Sequence, residues 1–196
     1  MNFLAHCALG ARSDALLVGG FLGDFVKGPV PETLPQAVQD GIRLHRRIDA
    51  YSATEPHIRA SIARLPAALR RFTPPFVDLL ADHLLALDFA AQHGEPLRTF
   101  SARVYRAIGA HRAWLRPEAA HFFDMMQDTD LFERYRDFAS VERAFARLMK
   151  RLRREDATRP IVAQASACYD DLARDFAIYY PNLKRHADAW LVERGL

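Results

Sequence analysis

Five polar side chains interrupt stretches whose apolar spacing would bury them. His6 separates Phe3-Leu4-Ala5 from Cys7-Ala8-Leu9, and Asp24 falls near the end of a run that is otherwise apolar from Ala15 to Phe25. His45 lies three and seven residues after Ile42 and Val38, on their helical face. His83 falls on the stripe of Phe76, Leu80 and Leu87, with Asp82 directly before it. A buried carboxylate or imidazole must be paired, hydrogen-bonded or metal-bound, because burying it bare is costly. A single such histidine is usually a hydrogen-bond partner in the core. His6, Asp24, His45, Asp82 and His83 come from four separate segments, and facing helices that feed His and Asp into a bundle interior are a recognised way to build a metal site. Imidazole and carboxylate without thiolate suit Mn²⁺, Mg²⁺, Fe²⁺ or Zn²⁺. Neighbours such as Asp82 and His83 diverge by about 100° on a helix, yet both can reach one ion or two close ions. Asp49, one turn after His45, reads either as a further ligand or as the carboxylate that orients the imidazole.

The cations beside these residues indicate the substrate's charge. Arg46 and Arg47 follow His45, and Lys27 follows Asp24. Guanidinium groups near a metal suit an anion, phosphate above all, although each cation alone could be ordinary surface. No serine lies in a nucleophile-elbow context, and Cys7 has no activating neighbour beyond His6. Water activated by a metal is then the better nucleophile. Asp128, Tyr135 and His121 are candidates for the general acid by chemistry type alone. Gly19, Gly20 and Gly23 follow no phosphate-loop or dinucleotide pattern and read as close-packing positions.

The elements that must position these groups are helices almost throughout. The pattern predicts helices over Phe3–Leu9, over Asp14 to about Lys27 with Ser13 as N-cap, and over about Pro35 to Tyr51. Glu55–Leu65, Pro75–Gln92, Pro96 to about Leu115, Pro117–Gln127 and Leu131–Tyr135 follow. Ser140 is expected to cap an amphipathic helix to Arg154 that buries Val141, Phe145, Leu148 and Leu152. Two last helices, Ile161–Tyr180 and Pro181–Glu193, are expected to meet at the Tyr-Tyr-Pro corner. No strand-type alternation persists, so the expected fold is all-α, one compact multi-helix bundle over residues 1–196.

Composition agrees. Half of the 196 residues are apolar and 26% are charged, which places the chain among globular proteins. No apolar run of about twenty residues appears, so a membrane span is not expected. No basic leader precedes the first apolar run, and a cytoplasmic location is the expectation. Cys7 and Cys168 cannot form a disulfide framework and read as small reduced hydrophobes. A net charge of +3 favours acidic partners without naming them.

The motifs NFLAH, GDFVKG, GIRLHRRID and ADHLL, with RYRD at Arg134–Asp137 and YYP at Tyr179–Pro181, resemble those of the acyl carrier protein phosphodiesterases. The strong motifs cover roughly the first 90 residues. That family's fold and metal site are similar to those of the HD-type phosphohydrolases, although the order here is Asp-His. Ala81 stands where the family carries a large aromatic, a change of packing beside the site. The resemblance implies hydrolysis of the phosphodiester between 4′-phosphopantetheine and a serine of holo-acyl carrier protein, a carrier in fatty acid biosynthesis. It also implies a divalent cation, Mn²⁺ first, and a site at His6, Asp24, His45, Asp49, Asp82 and His83. Acyl carrier proteins are small and acidic. Arg143, Arg147, Lys150, Arg151 and Arg154, on the face opposite Val141, Phe145, Leu148 and Leu152, would steer one. Nucleic acid ranks lower as a partner, because no nucleic-acid-binding motif accompanies that stripe. The rivals are an HD-like nucleotide phosphohydrolase and a helical binding module without catalysis.

Overall fold

A computed structural model describes residues 1–196. Eleven α-helices follow one another without a strand. They are α1 Phe3–Leu9, α2 Asp14–Leu22, α3 Gln36–Ser52, α4 Pro56–Arg64, α5 Thr73–His93 and α6 Leu97–Ala110, then α7 Pro117–Thr129, α8 Leu131–Arg134, α9 Phe138–Arg151, α10 Thr158–Ala167 and α11 Tyr169–Glu193. The all-α expectation holds. One continuous core of 48 buried residues joins them, with α1, α2, α3, α5 and α11 supplying much of it. No helix is long and apolar enough to cross a membrane.

The most extensive helix contact is between α2 and α3. Gly19 and Gly41 make it possible: a Cβ on Gly19 would stand 2.6 Å from the Gly41 Cα, and one on Gly41 would stand 2.7 Å from the Gly19 Cα. Both backbones run where side chains normally keep helices 8–10 Å apart. The glycines near Asp24 are therefore packing positions, as their sequence context suggested.

Several boundaries differ from the sequence pattern, each for a local reason. α2 ends at Leu22, not near Lys27. Gly23 begins a turn beneath the His45 ring, where any Cβ would collide with imidazole carbons. Asp24 thus sits on a turn and not on a helix. α6 stops at Ala110, and a 3₁₀ turn at Arg112–Trp114 completes the connection. α9 begins at Phe138 because Asp137, not Ser140, accepts from the Ala139 N–H. Its buried stripe is Val141, Phe145 and Met149; Leu148 is half-buried and Leu152, past the helix end, is exposed.

The last two predicted helices are redrawn as well. α10 starts at Thr158, the break falls at Cys168, and α11 runs unbroken through Pro181. Proline in a helix interior removes one hydrogen bond and crowds the preceding turn. Tyr179, Tyr180, Leu183 and Ala187 remain buried on both sides of it, so tertiary packing outweighs the local cost. Arg64 of α4 and Asp175 of α11 form an ion pair at 2.8 Å, with Ser61 donating to the same carboxylate. Cys7 is buried and Cys168 half-buried, both as free thiols.

Two predictions follow from this packing. Gly19→Ala should force α2 and α3 apart and lower stability by about 3 kcal/mol, read from urea unfolding. His93, at the end of α5, lies 2.7 Å from the Tyr180 hydroxyl. Burial, then Lys184 and Arg103, lower its pKa to about 4 from 6.5. The unfolded chain therefore binds a proton here that the folded one refuses, so the stability contributed by neutral His93 is complete above pH 6.5 and lost as pH falls towards 4. His93→Gln should flatten the acid side of the stability–pH curve; an unchanged slope would remove His93 as the cause.

Candidate metal centre and its cleft

Three helix-borne or helix-adjacent segments converge on one point. α1 brings His6, α3 brings His45 and Asp49 one turn apart, and the turn after α2 brings Asp24. The His6 and His45 rings stack at 3.6 Å between centroids, tilted by 18°. Asp49 spans both: its Oδ1 lies 3.1 Å from His6 Nε2 and its Oδ2 lies 3.3 Å from His45 Nε2. Asp24 Oδ1 stands 3.9 Å from His45 Nε2. The imidazoles are 1% and 3% exposed, against 48% for Asp49 and 40% for Asp24, so buried nitrogens meet carboxylates that face solvent.

His6, His45 and Asp49 could hold a metal ion, each offering a ligand atom within 4.8 Å of the others. The donor set fits such an ion. His45 Nδ1 donates to the Gly20 carbonyl at 2.8 Å, so Nε2 is the ring nitrogen that faces the cluster. Both His6 ring nitrogens are buried without a hydrogen-bond partner, since the Asp49 approach lacks the alignment of one. Burial, followed by the neighbouring His45, pushes the His6 pKa down to about 3, so the ring is a neutral donor at neutral pH. Burial opposes ionisation of Asp49, but its contacts with His45 and His6 outweigh that and hold its carboxyl well below the usual range. Burial raises the Asp24 pKa, against the pull of His45.

With this geometry in view, the similarity to known proteins is decisive. The acyl carrier protein phosphodiesterase family model matches residues 1–183. The chain belongs to that family. Its relatives include proteins named acyl carrier protein phosphodiesterase from Salmonella dublin and Salmonella newport, each 30% identical over 95% of this chain and 97% of theirs. No solved structure matches.

Asp82 and His83 lie outside the cluster of His6, His45 and Asp49. Asp82 is wholly buried in α5, and its two carboxylate oxygens accept from the Leu4 N–H at 2.8 Å and the Ala5 N–H at 3.0 Å. It caps α1 from another helix, because Asn2, at the N-cap position, turns its amide to the Tyr135 hydroxyl. Burial pushes Asp82 up to about 7 while the two N–H groups favour its anion. His83 Nδ1 faces the Tyr135 carbonyl at 2.6 Å and Nε2 the Tyr169 hydroxyl at 2.8 Å, so neither nitrogen points to the cluster.

A cleft of about 780 Å³ opens beside Asp24. Lys27, Arg147 and Arg151 line it, all exposed and without an ion-pair partner. Lys150 is exposed on α9 outside the lining. Arg46 instead donates to the Val26 and Gly28 carbonyls, fastening the loop after α2, and Arg47 is exposed next to the α11 histidine His186. Of the acid candidates, Tyr135 lines the cleft; His121 and Asp128 do not.

Residue reasoning did not single out the Gly20 carbonyl or Asp78. A backbone acceptor leaves no mark in a residue pattern. Asp78 lies one turn before Asp82 on the same face, a spacing that could have drawn attention to it. It meets the buried Met1 amino group at 3.1 Å, and that group is also 3.5 Å from Asp49. Asp82→Asn should turn an amide donor towards a backbone N–H of α1, costing about 1–3 kcal/mol in urea unfolding. Because α1 carries His6, Mn²⁺ affinity by calorimetry should fall about tenfold; an unaltered affinity would detach Asp82 from the centre.

Proposed function

We propose that this protein hydrolyses the phosphodiester linking 4′-phosphopantetheine to a serine of holo-acyl carrier protein, in the cytoplasm and with Mn²⁺ as the working ion. The observation that carries the reading is a His-His-carboxylate cluster able to hold a metal ion, with Asp24 beside it on a cleft lined by unpaired cations, in a chain of this family.

His6, His45 and Asp49 would hold the ion, and Asp24 lies 3.9 Å from His45 Nε2 on the solvent side of these residues. When bound, the ion supplies Lewis acidity towards a phosphoryl oxygen and lowers the pKa of water. Lys27 neutralises phosphate charge from the cleft side. Asp24, whose pKa burial has raised, takes the proton from the attacking water. Oxygen from that water bonds to phosphorus as the bond from phosphorus to the serine oxygen breaks; the serine oxygen takes a proton from solvent, to which Asp24 later returns its own. The products are apo-carrier and free 4′-phosphopantetheine. Asp82 positions α1, and thereby His6, without touching substrate. Arg147, Lys150 and Arg151 on α9 attract the acidic carrier.

Purified protein incubated with holo-acyl carrier protein and Mn²⁺ should remove the whole phosphopantetheine mass from the carrier, read by mass spectrometry. EDTA should abolish the reaction, and Asp24→Asn should slow it about 10²- to 10⁴-fold. A carrier left intact across several divalent metals would sink the reading and make nucleotide hydrolysis the next assay.

A further inference from the structure

The cleft beside the metal centre has a wall that phosphate chemistry does not need. Phe3, Phe25 and Phe122 approach one another there, with centroids 4.4 Å apart for Phe3–Phe122, 5.7 Å for Phe25–Phe122 and 6.0 Å for Phe3–Phe25. Leu79, Met125 and Leu148 continue the same lining. All six are only half-buried, although each comes from a segment able to sink an apolar residue into the core. Five parts of the fold contribute: the start of α1, the turn after α2, and helices α5, α7 and α9. Asp24 and Lys27 lie on this lining, as do Arg147 and Arg151. An apolar channel of this size with a few convergent polar groups is the form of a small-molecule site, and the cations make its ligand an anion with an apolar extension.

We propose that this cleft is the seat of the prosthetic arm itself. The phosphate lies at Asp24 and Lys27, and the uncharged amide-and-methylene chain packs on Phe3, Phe25, Phe122 and Leu79. The inference rests on the reaction proposed above and deepens it. Contact along the arm, remote from the reacting phosphorus, holds the phosphodiester in one orientation at the centre. Phe122 and Leu79 are then specificity-determining positions: they select a phosphodiester carrying this arm over one that lacks it. A bare phosphate monoester or diester uses only the Asp24 and Lys27 end.

Calorimetry on the full chain with free 4′-phosphopantetheine, pantetheine and inorganic phosphate as probes tests the assignment without relying on turnover. Wild-type protein should bind 4′-phosphopantetheine at least tenfold more tightly than phosphate. Phe122→Asn, which adds no charge to the cleft, should abolish that preference and leave phosphate affinity within twofold. Leu79→Asn, a milder change, should reduce the preference and serves if the first variant fails to fold, as judged by circular dichroism. Equal wild-type affinities for the two phosphates would overturn the proposal, as would variants that weaken both alike. The two readings fail separately. Cleavage of the carrier without any preference for the arm removes the cleft assignment alone. Tight binding of the arm by a protein that leaves the carrier intact removes the reaction and keeps the cleft.

Discussion

The centre depends first on how closely two backbones approach. Gly19 on α2 and Gly41 on α3 face each other with no room for a side chain on either. That approach brings the Gly20 carbonyl within 2.8 Å of His45 Nδ1 and sets the ring over Gly23. The same contact fixes which ring nitrogen meets the backbone and which faces Asp49. One steric constraint therefore decides both the place and the orientation of the His45 ring, and Asp49, one turn on, is carried into position with it.

The second support is electrostatic. α1 has only seven residues, too short to be stable alone, and its own N-cap residue is engaged elsewhere. A carboxylate from α5 takes the two orphan N–H groups at its head. His6 then stacks on His45 from a helix anchored at its start, and the unpaired nitrogens of that ring are tolerated because the fold holds them there. Buried polar groups without partners are costly in native structures, and a ligand at the two bare His6 nitrogens would relieve that cost.

The surroundings divide the remaining labour. Acidic groups gather at the centre, while Lys27, Arg147 and Arg151 remain unpaired along the cleft. Arg143 and Arg154, on the same basic stripe of sequence, are instead paired with Asp137 and Asp156. The stripe is thus two surfaces: one neutralised, and one free to meet an anion. An exposed ion pair contributes little to stability, so this division bears on recognition more than on folding.

The sequence by itself determined the helical class, most helix starts and which His and Asp residues interrupt apolar stretches. Those depend on local signals: apolar period, caps, prolines, and His or Asp where an apolar residue belongs. It also made Asp49 a neighbour of His45, because one helical turn is a fixed distance. Tertiary structure alone decided which of the buried polar residues meet. Asp82 and His83 lie on buried faces as surely as His45 does, but their partners are the α1 backbone, Tyr135 and Tyr169. Pro181 likewise looked like a corner until packing on both sides carried the helix through it. Periodicity reports that a side chain is buried; the helix placed against it decides whether it meets a carboxylate, a backbone N–H or a tyrosine hydroxyl.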